Sequence, residues 1–163
     1  MKTKMKVVKT AKICGIVAKV LYLLSFVLCL AFIALAIALP LTDAISSISP
    51  AEVAVIFGTL ALYAFILIGL LWNIEGIFNT IAKEQTAFAE KVVHYLKKVA
   101  VFVIILSVTP AILGSAVLRI VCPTTEITFP IELCGIIVGA VLFIIGTFFS
   151  YGKELQERED ETL

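Results

Sequence analysis

Long apolar stretches alternate with short polar segments along the chain, and the alternation occurs four times. Uncharged and mostly apolar stretches lie at residues 20–39, 53–72, 99–118 and 133–151. About 20 apolar residues in an α-helix cross a hydrocarbon core of roughly 30 Å. The pattern therefore predicts four transmembrane helices, at about residues 14–39, 53–78, 99–120 and 132–151, followed by a tail at 152–163.

The composition agrees with an environment of lipid. Of the 163 residues, 61% are hydrophobic and the mean hydropathy is +1.13. Soluble domains are about half apolar, so this chain has too few polar side chains to cover a globule in water. The length suits one domain. We predict a single integral membrane domain at residues 1–163, an all-α four-transmembrane-helix bundle whose surroundings are the lipid bilayer.

The start of the first helix depends on Lys19. A lysine at the centre of the bilayer costs about 3 kcal/mol, so we expect Lys19 to reach the inner interface. A cleaved signal peptide is the alternative, since basic residues precede the apolar run and Ala36-Ile37-Ala38 resembles a cleavage site. The run exceeds the roughly 7–15 residues of a signal peptide, which favours an uncleaved span.

The basic residues are segregated. Of the 13 lysines and arginines, all but Arg119 lie in the N-terminal segment, between the second and third spans, or in the C-terminal tail. The segments on the side of Arg119 carry the acidic residues Asp43, Glu52, Glu126 and Glu132. Basic residues are retained on the cytoplasmic side of membranes. We therefore predict a multi-pass protein of the cell membrane with both termini in the cytoplasm.

The connection between the second and third spans has a helical pattern. Phe88, Val92, Tyr95 and Val99 recur at helical spacing. This predicts a cytoplasmic amphipathic segment between helices 2 and 3, with a turn near residues 83–86. Two interpretations remain open: a helical extension packed on its own bundle, or a surface that binds lipid or protein.

Glu75 is the most notable ionisable residue near a span. It lies at about the depth of Lys19, which predicts an intramembrane ion pair between the two side chains. The alternative is an ion or proton path, which would need more polar groups at mid-bilayer. The spans offer hydroxyls at Ser25, Thr59, Ser107 and Thr147, which usually bond to their own backbone.

Three features of the last two spans concern their packing. Pro110 removes a backbone donor and predicts a kink in the third helix. Gly135 and Gly139 form a face of small residues that favours close helix contact within the bundle. Cys122 and Cys134 bracket the loop between the helices. Two free thiols are the simpler interpretation, and a disulfide between them is geometrically reasonable if the outside is oxidising.

No pattern of an enzyme is recognisable. The single histidine, His94, has no Ser/His/Asp set around it in the sequence, and there is no phosphate-binding loop. The four cysteines lack the spacing of a metal site. We predict no catalytic residues, no metal, no cofactor and no direct binding of nucleic acid.

Two segments carry a family resemblance. The first has Phe88-x-Glu90 followed by Leu96-Lys97-Lys98-Val99, and the second runs from Gly152-Lys153-Glu154-Leu155-Gln156 to Asp160-Glu161-Thr162-Leu163. Both resemble the bacterial family known as domain of unknown function 2975, the YoaS-like four-span membrane proteins. The family usually has proline where this chain has Ala87, and often asparagine where it has Val92.

The resemblance implies a four-helix membrane protein often encoded beside a small Cro-type helix-turn-helix regulator. Our leading hypothesis is a regulatory or sensory membrane protein that engages a cytoplasmic partner, with that regulator as the candidate. The candidate partner-binding residues are Phe88, Glu90, Leu96, Lys97, Lys98, Leu155, Glu159 and Asp160. The alternative is a small transporter, or an immunity or stress protein against membrane-active peptides, with Glu75, Thr109 and Pro110 as gating residues.

Overall fold

Four long helices make up the architecture. A computed structural model of the chain describes residues 2–42, 49–84, 90–123 and 127–161. The helices are α1 (Lys2–Ala38), α2 (Pro50–Glu84), α3 (Glu90–Val121) and α4 (Leu133–Glu161), with a 3-10 turn at Leu39–Leu41. Each helix is long and apolar enough to cross a membrane, over Val7–Leu41, Pro50–Glu84, Glu90–Val121 and Leu133–Gly152. The predicted all-α class with four membrane-length helices is confirmed.

The helices are longer than a membrane requires. They contain 37, 35, 32 and 29 residues, or about 44–56 Å of helix against a hydrocarbon core of roughly 30 Å. The excess lies mainly where α1 begins, α2 ends, α3 begins and α4 ends. We call this the basic end, because Lys9, Lys12, Lys83 and Lys91 lie there.

Residues 90–98 continue the third span without a break. α3 is one helix from Glu90 to Val121. On it Val92 and Val99 are buried, and the ring of Tyr95 lies against Gly76 of α2. These three residues of the predicted apolar stripe therefore contact their own protein, whereas Phe88 lies outside the described residues.

The helices pack in series, each antiparallel to its neighbour in the sequence. The backbone of α2 approaches α1 and α3, and that of α3 also approaches α4. Within the described part of the chain, the backbone of α1 does not come close to α3 or α4. Consequently α1 and α4 each keep a broad apolar face uncovered, as expected for helices surrounded by lipid.

A narrow seam of mostly small residues joins α1 to α2. It recurs at alternating intervals of four and three residues, at Ala11, Gly15, Ala18, Tyr22, Ser25 and Cys29. Small side chains allow close helix packing without a hydrophobic driving force. Gly15 contacts Asn79, and the ring of Tyr22 meets that of Trp72 edge-on at 5.6 Å between centroids. This register places Lys19 level with Glu75.

Glycines also set the contact between α3 and α4. The Cα of Gly139 lies against Ile104 and the carbonyl of Ala100, and Gly146 lies against Leu96 and Lys97. The predicted role of the small-residue face, contact within the protein, is confirmed for Gly139.

The chain folds back along α3 before α4 begins. The amide of Phe129 donates to Ser115 Oγ at 3.0 Å, and that of Glu132 donates to the carbonyl of Ser107 at 3.4 Å. Ser107 lies about 21 Å along the helix axis from Val121, the last residue of α3. The first turn of α4 therefore packs beside the middle of α3, one turn from the buried Pro110.

Of the two interpretations of Cys122 and Cys134, a disulfide or two free thiols, the structure has the free thiols, and this descent explains why. Cys122 and Cys134 are both free thiols. Cys122 follows the end of α3 and its Sγ lies 3.5 Å from Ser49 Oγ, at the start of α2. Cys134 is exposed in the first turn of α4, beside the middle of α3. A disulfide requires Cα atoms less than about 7 Å apart.

Candidate functional site

Two clefts open at the basic end, and both involve α2 and α3. We call the first the polar cleft; its volume is about 360 Å³ and its lining is Trp72, Glu75, Gly76, Asn79, Thr80, Lys83, Glu84, Lys91 and Tyr95. We call the second the basic cleft; its volume is about 670 Å³ and its lining is Gly69, Trp72, Asn73, His94, Tyr95, Lys97, Lys98, Val101, Phe102 and Phe143. Trp72 and Tyr95 line both clefts and stand between them.

Two glycines of α2 hold the aromatic rings of α3 in place. A Cβ on Gly76 would come within 2.9 Å of the Tyr95 ring, and one on Gly69 within 2.5 Å of the Phe102 ring. Because neither glycine has a side chain, both rings can lie directly on the α2 backbone. Lys98 and Val101 lie between these two rings in the α3 sequence, and both line the basic cleft.

The polar cleft contains charges of both signs. Glu75 accepts a hydrogen bond of 3.2 Å from Asn79 Nδ2. Within the described residues no ion pair joins Glu75 to Lys19, although the two lie at the same level. Lys19 is exposed on the surface of α1. The predicted ion pair is thus not formed in this structure, because a shared depth does not bring two side chains onto facing surfaces.

Most of the other polar groups in and near the spans bond to the backbone one turn back. Asn73 Nδ2 donates to the Gly69 carbonyl at 2.7 Å, and Thr80 Oγ1 to the Gly76 carbonyl at 2.8 Å. The hydroxyls of Thr59, Ser107 and Thr147 do the same at 2.8, 2.9 and 3.0 Å. These groups are satisfied locally, which leaves the charged side chains as the chemically distinctive part of the clefts.

The predicted partner-binding residues of α3 fall into two sets. Glu90 is exposed in the first turn of α3. Leu96 and the stem of Lys97 contact Gly146, so these two residues also hold α4 against α3. Lys97 and Lys98 line the basic cleft.

The residues predicted in the tail lie on a helix. α4 continues beyond the membrane-length segment for about 14 Å, from Gly152 to Glu161. Leu155, Glu159 and Asp160 belong to this extension, but their side chains lie outside the description. Arg158 and Glu154 are exposed and form an ion pair of 3.2 Å one turn apart.

Glu132 occupies a position that sequence reasoning missed. We expected it in an outer loop, but its backbone amide bonds to the carbonyl of Ser107, and its carboxylate is close enough to Tyr63 to interact with it electrostatically. Tyr63 lies 13 residues into α2. Non-helical backbone at membrane depth must be covered by protein or line a watery cavity. The signal for this position was the short fourth span, which starts directly after Glu132, together with Pro130.

These features define a protein with four membrane-length helices whose charged clefts are concentrated at one end. No protein-family model matches the chain, and no curated protein or solved structure matches it. The resemblance to the YoaS-like proteins therefore stays a prediction based on the two segments that carry it. Among the described residues, no three His, Cys, Asp or Glu side chains are grouped to hold a metal ion.

Proposed function

We propose that this protein is a membrane-embedded regulatory or sensory protein whose basic end engages a cytoplasmic protein partner. The observation that supports this most is the continuity of the helices. α2, α3 and α4 continue without a break beyond their uncharged stretches. A change in packing within the membrane would therefore be transmitted to the charged end by rigid helices.

The proposed orientation rests on charge. Twelve of the 13 basic residues belong to segments at the basic end, and Arg119 lies near the opposite end. The transfer of short basic segments across a membrane is disfavoured. The basic end therefore faces the cytoplasm, where a soluble regulator could reach it.

Charge also suggests the kind of partner. The tail at residues 153–163 has five acidic and two basic residues. Domains that bind nucleic acid present basic surfaces, so an acidic helical tail complements a regulator of this type. The family resemblance points to the same partner, a small helix-turn-helix protein.

Deletion of residues 153–163 tests the tail. From cells expressing tagged protein, purification in mild detergent should recover the partner with the full-length chain. We expect about tenfold less of it with the truncated chain, the effect of losing roughly 1.4 kcal/mol of binding free energy. Quantitative mass spectrometry of the eluates measures the ratio.

A matched pair of tail variants separates the family-like residues from the other charged residues of the same helix. The variant L155A/E159Q/D160N should lower recovery as the deletion does. The control E154Q/R158Q removes an exposed ion pair on the same helix without changing the net charge, and it should recover the partner normally. Equal recovery with the full-length and truncated chains would remove the tail from the proposal.

A second candidate function, a small transporter, is favoured by Glu132. Its position beside Ser107 and near Tyr63 is that of an ionisable group within the span, and such groups often belong to ion or proton paths. If this is correct, E132Q should abolish proton flux into proteoliposomes, measured with an internal pH dye. The control E84Q changes an exposed carboxylate of the polar cleft at the end of α2, outside the uncharged stretch, and should retain flux. No flux with the unmodified protein would rule out proton transport.

A further inference from the structure

The basic cleft has the properties of a site for one molecule of anionic phospholipid. Its lining combines two lysines and a histidine with apolar and aromatic side chains: Lys97, Lys98, His94, Trp72, Phe102 and Phe143. Among the described residues no carboxylate lines it, whereas two, Glu75 and Glu84, line the polar cleft on the other side of Tyr95. From the described residues and the proposed orientation, we infer that the basic cleft binds an anionic phospholipid of the inner leaflet.

The order of the lining residues along α3 matches the structure of a lipid. His94, Lys97 and Lys98 lie nearest the basic end, and Val101 and Phe102 follow about one turn deeper. From His94 to Phe102 the distance along the helix is about 12 Å. A phosphate at the lysines would therefore place its acyl chains along Phe102 and Phe143.

The lysines are available for an external anion. Within the described part of the chain, neither Lys97 nor Lys98 forms an ion pair. The stem of Lys97 lies against Gly146, which constrains the direction in which this side chain leaves α3. A lysine near a membrane surface contributes about 1 kcal/mol toward anionic lipid, and basic pockets between helices on the cytoplasmic side bind anionic head groups.

The depth favours lipid over a soluble anion. Trp72 is 58% exposed, and its ring stands at the boundary between charged and apolar side chains. Tryptophan and tyrosine are typical of this level of a membrane protein. The cleft lies beside the uncharged stretch of α3, so lipid can enter sideways, whereas a small soluble phosphate would leave the apolar part of the cleft unfilled.

The chain contains a reporter for this site, because Trp72 is its only tryptophan. The protein is placed in nanodiscs of phosphatidylcholine with a fixed fraction of phosphatidylglycerol. In one sample the phosphatidylglycerol is brominated near the head of an acyl chain, and in the other an equal amount of the phosphatidylcholine is brominated. Brominated phosphatidylglycerol should quench Trp72 fluorescence more strongly.

Substitutions test whether the preference for phosphatidylglycerol depends on the lysines of the basic cleft. K97Q/K98Q should reduce the preference for phosphatidylglycerol by about tenfold or more, as expected for two charges worth about 1 kcal/mol each. K12Q/K19Q is the matched control, because it also removes two exposed lysines toward the basic end and neither lines the cleft, and it should keep the preference. Gel filtration and circular dichroism confirm that each variant is folded.

Three results would overturn the inference. Equal quenching by the two brominated lipids would show that the cleft does not select an anionic head group. A loss of preference in K12Q/K19Q as large as in K97Q/K98Q would show a general effect of surface charge instead of a site. Relief of the quenching by millimolar glycerol phosphate would show that the cleft takes the soluble anion and not the lipid.

Discussion

Replacement of Gly139 by alanine is expected to destabilise the protein by about 1–3 kcal/mol, the usual range for overpacking a tight contact. A Cβ at this position would lie 2.5 Å from Ile104 Cγ1 and 2.9 Å from the carbonyl oxygen of Ala100. The isoleucine could adopt another rotamer, but the carbonyl belongs to the α3 backbone. The two helices must therefore move apart, with loss of contact along the whole interface between α3 and α4.

Gly58 supplies the control for this substitution. It lies within the uncharged part of α2, and a Cβ there would meet nothing within 4 Å. G58A should therefore leave the free energy of unfolding within about 0.5 kcal/mol or raise it slightly, because alanine favours the helix over glycine. Unfolding in mixtures of sodium dodecyl sulfate and a mild detergent, followed by circular dichroism, measures both. If G139A and G58A unfold alike, α4 does not pack on α3 in this register.

The helices could be predicted because their cause is local. An uncharged run of about 20 residues has few alternatives to a transmembrane helix, and this requirement gave the four spans. The lengths of the helices were harder to predict: α2 continues to Glu84, six residues beyond the predicted end of the second span at residue 78. These residues are polar on one side only, and their helix depends on packing against α1 and α3, as in the contact of Asn79 with Gly15.

Side-chain contacts were less predictable because they depend on rotation about each helix axis. Counting residues gave the common depth of Lys19 and Glu75 in the membrane, but it did not give the direction in which each side chain leaves its helix. For Cys122 and Cys134 the level itself was wrong, since a sequence does not reveal that residues 127–132 descend along α3. The hydrogen bonds from Phe129 and Glu132 that fix this descent use the hydroxyl of Ser115 and the carbonyl of Ser107, which are partners distant in sequence.

The described residues of the family-like segment 96–98 lie at the basic cleft or at the contact between α3 and α4. Leu96 and Lys97 are tied to α4 through Gly146, and Lys98 joins Lys97 in the basic cleft. Glu84 and Lys91 line the polar cleft instead. A lipid in the basic cleft would therefore contact Lys97, which also packs against α4, the helix that continues into the acidic tail.

Both proposals require the basic end to face the cytoplasm, and cysteine labelling in intact cells tests this. In a background with the four native cysteines replaced by alanine, single cysteines are introduced at Thr42 and Pro123 at one end and at Glu84 and Glu154 at the other. All four positions are exposed. An impermeant maleimide should label T42C and P123C in intact cells, because the segments there lack the basic residues that are retained inside.

In the same assay, E84C and E154C should react only after lysis, since 12 of the 13 basic residues belong to segments at that end. Labelling after lysis serves as the control for each position, because it shows that the cysteine can react. The reverse pattern would place the acidic tail and the basic cleft on the outside. A cytoplasmic regulator could then not reach the tail, and the cleft would open to the outer leaflet, so both proposals would fail together.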